Sequence, residues 1–418
     1  MRLLLVLLLA ADVSAASRAP VIESIARQIE KRYVIVDEAP RIAQRLRADV
    51  AKYESIEDNA KLAEALGNDL RQSTGDLHFD VRFDPAHAER LLAAGSDTKR
   101  VLPEVPPTPE QLAEMRRTNY GVRRYELLDG NVANIELTLL EKLQYSRTAL
   151  TAALELAANA EAVVIDLRGA PGGRPETVRF LASYFLAKPT LLLSTFDRET
   201  GKTTESYSMA GVAGRRMPDV PLFILTGTGT GSAAEGFAFV MQQLGRAAIV
   251  GEHSQGAAYG GGWVPAAEGF VVFIPTFRPV TKNGKTWHAT GVIPDVPAPA
   301  DRALAMAHLR AVAALDARAS RPELRWLLPL LDLAANGPKS GDARPVAGKY
   351  QGVEITREPR FIGASGMPRE LTPLSDGTFL IEDFSVAPRY RARVRFTATG
   401  LELLTPQGRV IPRPRLPD

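Results

Sequence analysis

Two short, unbroken apolar runs constrain this chain more than any other feature. They are Glu161–Gly169 (EAVVIDLRG) and Val220–Gly227 (VPLFILTG), each closed by glycine. Apolar residues without alternation, over so few positions, mark strands covered on both faces. Helix-period stretches follow each of them, Pro175–Leu186 (PETVRFLASYFL) and Ser232–Gly245 (SAAEGFAFVMQQLG), and Ala247–Glu252 (AAIVGE) reads as the next strand. Strand, helix and strand in succession call for an α/β domain around a partly parallel sheet, expected over residues 119–320. Asp129-Gly130 sets a turn between two strand-like runs at its start.

The flanks read differently. Val21–Ile35, Asp37–Tyr53 and Ser55–Gln72 space apolar residues by three and four, so residues 16–100 are expected to form a helical domain. The third helix is expected to start behind Ser55. Leu77–Pro85 (LHFDVRFDP) alternates as a short strand. Leu102–Gln111 (LPEVPPTPEQ) has four prolines in ten residues, placing a connector over 101–118. A helix pattern over Arg302–Ala319 precedes a polar stretch, Ala335–Pro345, so 321–345 is expected as linker. Residues 346–418 read as a small β-module, with a hairpin turn at Asp376-Gly377. Arg389–Arg395 (RYRARVR) alternates as an edge strand would.

Charge and composition close off several functions. A net charge of +3 over 418 residues, with no basic block, does not suit a nucleic-acid binder. With no cysteine there is neither a disulfide nor a thiol nucleophile. Five scattered histidines (78, 87, 253, 288, 308) form no metal-ligand spacing, so no metal or cofactor is expected. The opening MRLLLVLLLAADVSA has one basic residue, an apolar run over Leu3–Ala11 and a small-residue site at Val13-Ser14-Ala15. This predicts a signal peptide over 1–15 and an exported chain, periplasmic or secreted, with no membrane span after cleavage.

Gly227–Phe237 (GTGTGSAAEGF) carries the chemical question. It lacks the Lys of a phosphate loop and the third Gly of a dinucleotide fingerprint, and Thr230 and Ala234 stand where a hydrolase nucleophile elbow has glycines. Ser232 followed by Glu235 is the capping-box spacing. Ser232 also stands at the carboxyl end of a buried strand, where α/β folds collect ligands. Beside the Ala233 N–H, and within reach of a second Gly-rich turn carrying Gly172, its hydroxyl suits acyl transfer. Spacing alone shows no base, so cap and nucleophile both stand.

Thr118–Leu137, Ala160–Leu186, Thr230–Glu252 and Gly291–Val296 (GVIPDV) resemble, in order, successive blocks of the tail-specific (C-terminal processing) serine protease family. Arg32–Ala39 and Ser73–Phe79 (STGDLHF) resemble the helical leader of its branch typified by interphotoreceptor retinoid-binding protein and tricorn-type peptidases. The resemblance implies a crotonase/ClpP-like α/β catalytic core with an N-terminal helical bundle and the small β-module. It implies Ser232 as nucleophile, His78 as base, and the Gly172 and Ala233 N–H groups as oxyanion hole. The sister branch's Lys is absent from the turn Gly256-Ala257-Ala258, and no PDZ-sized segment separates His78 from Asn119. Two departures stand out. His288 occupies the position of the family's acidic residue, leaving Asp76, Asp80 and Asp295 as candidate carboxylates, and Ala170 replaces a familiar Asn. The expected function is an exported serine-type peptidase acting on a peptide or protein. The alternatives are a non-catalytic carrier of an apolar, retinoid- or fatty-acid-like small molecule and an interaction module working through the β tail.

Overall fold

The computed structural model describes residues 17–94, 106–338, 344–383, 385 and 388–417. The expected signal peptide and residues 101–105 of the Pro-rich connector lie outside the described residues; the rest of that connector is mostly helix, Pro109–Arg117. The chain divides into two compact units.

The first unit joins residues up to 106 with 194–205 and 257–280. Its helix Ala19–Arg32 buries Val21, Ile22, Ile25, Ala26 and Ile29, one stripe at helical spacing, and has a proline in its first turn. Asn59–Thr74 begins three residues later than the sequence suggests. Asp58, not Ser55, caps it by accepting the Lys61 N–H at 2.8 Å, while the Ile56 N–H closes a turn on Tyr53. Gly75, at φ +69°, ends it. These helices do not form a bundle complete in itself. Strand Asp80–Phe83 pairs antiparallel with Phe270–Val280, in register Asp80 to Phe273, and that strand pairs also with Gly260–Pro265 and with residues 194–197. The unit is thus a helical layer on a sheet borrowed from later chain, and the α/β domain expected over 119–320 gives up those segments to it.

The second unit holds the predicted sheet, in the order Val296–Pro297, Ala248–Gly251, Leu222–Thr226, Ala162–Asp166, Val132–Leu137 and Val122–Leu128. All neighbours are parallel except the last pair, a hairpin turned at Gly130. Ala162–Asp166 and Leu222–Thr226 are buried throughout. Ala162, Val164, Phe223, Leu225 and Val250 pack against Ala303, Ala307, Ala311 and Val312 of helix Ala303–Arg318 and against Leu324 and Leu327. Helix Ser232–Gln243 packs on strands Leu222–Thr226 and Ala248–Gly251 and against helix Pro175–Tyr184. Side chains alternate across a strand, so both faces of the sheet are covered, as the unbroken apolar runs require.

The expected linker 321–345 is mostly helix, Pro322–Asn336. Leu324, Leu327 and Leu330 recur every third residue and are buried; the first two close the core over Ala303–Arg318, and Leu330 meets Leu374 and Leu380 of the β-module. The β-module is an eight-stranded antiparallel sheet from Gly348–Tyr350 to Val410–Pro414 that curls back on itself through a Tyr350–Arg415 bridge. Tyr350, Val353, Phe361, Phe379, Val394 and Leu401 fill it. Arg393–Thr397 is not an edge. It pairs on both sides, and Arg393 is buried against the Trp326 ring, 3.8 Å from the ring centroid.

Candidate active site

Within the second unit the site is built where two buried strands end in glycine-rich turns. After Leu222–Thr226 the chain makes a tight loop locked by Thr230. The Thr230 hydroxyl donates to the Leu167 carbonyl at 2.8 Å and accepts the Gly227 N–H at 3.0 Å. Gly231 then donates its N–H to the Ala170 carbonyl at 3.0 Å, tying the two turns together. A Cβ on Gly231 would fall 2.8 Å from the Pro171 carbonyl oxygen, which explains the glycine.

Ser232 opens the helix Ser232–Gln243 with φ +46°, a left-handed conformation that an L-residue adopts at a cost of about 1–2 kcal/mol. The N-cap is Gly231. Its carbonyl takes the Ala234 and Glu235 N–H groups at 3.0 and 3.3 Å, satisfying donors that a capping serine hydroxyl would have served. Half of the capping box is present, since Glu235 accepts the Ser232 backbone N–H at 2.7 Å. That carboxylate is fully buried. Its other oxygen accepts the Ser254 hydroxyl at 2.6 Å and the Gly256 N–H at 2.5 Å, and Ser254 in turn accepts the Val292 N–H. Glu235 therefore braces the backbone under Ser232 and the Ser254–Gly256 segment as one piece. Its proximity to Ser232 is readable from Ser-x-x-Glu, whereas nothing in the sequence singles out Ser254.

Gly172, at φ +139°, presses directly against the serine. A Cβ there would lie 2.8 Å from Ser232 Cβ and 3.4 Å from Ser232 Oγ. The Gly172 carbonyl is held by the Leu140 N–H at 2.9 Å. Ala233 lies in the helix's first turn, where N–H groups find no carbonyl four residues back. His288 sits on a loop pinned to the same helix. Trp287 contacts Gly236 and stacks obliquely on Phe239 at 5.3 Å, and the Ala289 N–H donates to the Gly256 carbonyl at 2.9 Å. The second unit thus gathers Ser232, Ala233, Gly172 and the His288 loop around one helix end.

His78 belongs to the first unit, in the turn between helix Asn59–Thr74 and strand Asp80–Phe83. Its backbone N–H donates to Asp76 Oδ1 at 3.1 Å, and its Nδ1 lies 3.9 Å from the same oxygen. Burial lowers the His78 pKa, favouring the neutral imidazole. Asp76 is fully buried, and burial pushes its pKa up to about 7 against the opposing pull of the His78 N–H and the Tyr33 hydroxyl, 3.4 Å away. The other two candidate carboxylates are committed elsewhere. Asp80 pairs with Arg71 and Arg82, and Asp295 accepts the Gln242 side chain and the Ile249 N–H. His308 is structural, its Nε2 lying 2.7 Å from the Asp129 carbonyl oxygen and its pKa lowered by burial to about 4.

Comparison with known proteins gives the class that this chain resembles, the peptidases. Residues 131–298 match the family described as "Peptidase family S41", and residues 12–122 match "N-terminal domain of Peptidase_S41 in eukaryotic IRBP". Similar proteins include the carboxy-terminal processing protease CtpB of Bacillus subtilis, 26% identical over 32% of this chain and 27% of that protein. A carboxyl-terminal-processing protease of Synechocystis is 29% identical over 32% of this chain and 30% of its own length. The chain therefore spans less than a third of these relatives. Among solved structures, the photosystem II D1 C-terminal processing protease aligns over 68% of this chain and 94% of its own, at 16% identity and TM-score 0.44. A putative peptidase from Parabacteroides merdae aligns over 72% and 96%, at 15% identity and TM-score 0.49. None of the described helices is long and apolar enough to cross a membrane.

Proposed function

We propose that the chain is an exported serine-type peptidase that cleaves peptide bonds of a protein substrate through Ser232. The observation that carries this reading is the left-handed backbone of Ser232, braced by Glu235 with Gly172 against its side chain. A residue serving only as a cap has no need of that strain. Ser232 Oγ attacks the peptide carbonyl while His78, held neutral by burial, takes the hydroxyl proton. The Gly172 and Ala233 N–H groups receive the negative charge on the tetrahedral oxygen, each donor worth about 3–4 kcal/mol when aligned. His78 returns the proton to the leaving amine, and water then hydrolyses the acyl-enzyme by the same steps in reverse. His288, at the position of the family's acid, supplies an imidazole where the family has a carboxylate. The processing proteases among the relatives support a protein substrate.

Labelling with a serine-directed fluorophosphonate tests the reading. The wild-type chain is expected to be labelled, and Ser232→Ala and His78→Ala to lose it. Failure of the wild type to react would remove the nucleophile and leave the non-catalytic alternatives.

A further inference from the structure

We propose that Asp76 is the carboxylate that orients His78, a positioning residue at Nδ1 that leaves Nε2 as the basic atom. The inference rests on the reading of His78 as base and supplies the anion that position 288 lacks. Three observations converge. Asp76 Oδ1 lies 3.9 Å from His78 Nδ1, and the two residues are locked in one turn by the 3.1 Å bond from the His78 N–H. Asp76 is fully buried, and its other oxygen meets the Tyr33 hydroxyl, itself buried on the helical layer. The two rival carboxylates are engaged by arginines or by the sheet.

The chemistry follows from that placement. A carboxylate oxygen accepts more than one hydrogen bond, so Oδ1 can hold the backbone N–H and the Nδ1–H together. Fixing the proton on Nδ1 selects the tautomer whose Nε2 lone pair accepts the serine proton. The separation is longer than a hydrogen bond, and such contacts tighten when the imidazole gains charge with substrate in place. In a buried setting the attraction between imidazolium and carboxylate far exceeds its value in water.

The Tyr33 hydroxyl and His78 face Asp76, Tyr259 lies within the field of Asp76, and Glu38 and Tyr259 add to the field at Tyr33. His78 lies between Asp76 on its own turn and the Phe273 ring of the neighbouring strand, 6.3 Å away. A working pair needs His78 neutral and Asp76 ionised, so activity rises with pH to a plateau once the higher of the two has titrated. Asp76, at about 7, sets that limb.

The test is the rate of fluorophosphonate labelling of Ser232 against pH, in wild type, Asp76→Asn and Tyr33→Phe, with circular dichroism confirming each fold. Asp76→Asn is expected to lower the plateau about 10²–10⁴-fold, in line with loss of a triad carboxylate, and to move the limb to lower pH. Tyr33→Phe removes a donor that favours the ionised carboxylate, so its limb moves to higher pH with the plateau kept. This variant carries the test should Asp76→Asn fail to fold. A labelled wild type whose Asp76→Asn variant keeps its rate within threefold, or whose Tyr33→Phe limb does not move, overturns the role of Asp76 alone. A wild type that never labels overturns the nucleophile reading, and the role of Asp76 with it.

Discussion

Ser232 is the residue on which backbone and chemistry meet. Its φ of +46° belongs to glycine by preference, so Ser232→Gly should be more stable than Ser232→Ala by about 1 kcal/mol, although neither carries the hydroxyl. Equal melting temperatures for the two variants would show that the strain is not real. Gly172→Ala should abolish labelling, because its Cβ would collide with Ser232 Cβ and a left-handed glycine conformation would be forced on alanine. The Ser-x-x-Glu spacing makes Glu235 legible beside the Ser232 backbone. It does not tell which atom caps the helix, since that depends on Gly231 being drawn onto the Ala170 carbonyl by a turn far away in sequence. Ser254 was illegible for the same reason: its partners lie 19 and 38 residues away.

At the scale of single elements, the turn carrying Asp76 and His78 should leave a mark on stability. The folded Asp76 carboxyl titrates near 7, well above its ordinary value of 3.8. Between those values the folded protein keeps a proton that the unfolded chain has released, so this group's contribution is full below about pH 4 and is lost as pH rises through 7. His78 runs the other way. Its lowered pKa makes folding less favourable as pH falls below 6.5. Asp76→Asn should therefore be more stable than wild type at pH 8, with the gap closing toward pH 4, as thermal denaturation over a pH series would show. The helix Pro322–Asn336 shows what local reading misses. Its polar tail drew the whole stretch toward linker, whereas the buried Leu324 and Leu327 are meaningful only against Ala303–Arg318. The central strands were legible because burial on both faces writes itself into every residue of Ala162–Asp166 and Leu222–Thr226.

Over the whole molecule, the β-module is fastened to the rest of the second unit by side chains that the sequence presents as ordinary surface. The Trp326 indole N–H donates to the Arg389 carbonyl at 3.0 Å, its ring underlies the Arg393 guanidinium, and Leu330 is buried with Leu374 and Leu380. Trp326→Ala should lower the melting temperature while leaving the labelling rate of Ser232 at 25 °C unchanged. A loss of labelling with the fold intact would instead tie the module to the chemistry. The first unit has a different dependence. The strand that follows His78 finds its partner about 190 residues further on, Asp80 against Phe273. A ribosome releasing this chain finishes the segment bearing the serine before it has supplied the partner strand that completes the histidine's surroundings. Until residue 280 has emerged, a growing polypeptide holds Ser232 while the sheet beside His78 is unfinished. On the proposed mechanism, cutting of any target, the growing chain included, waits on that late strand.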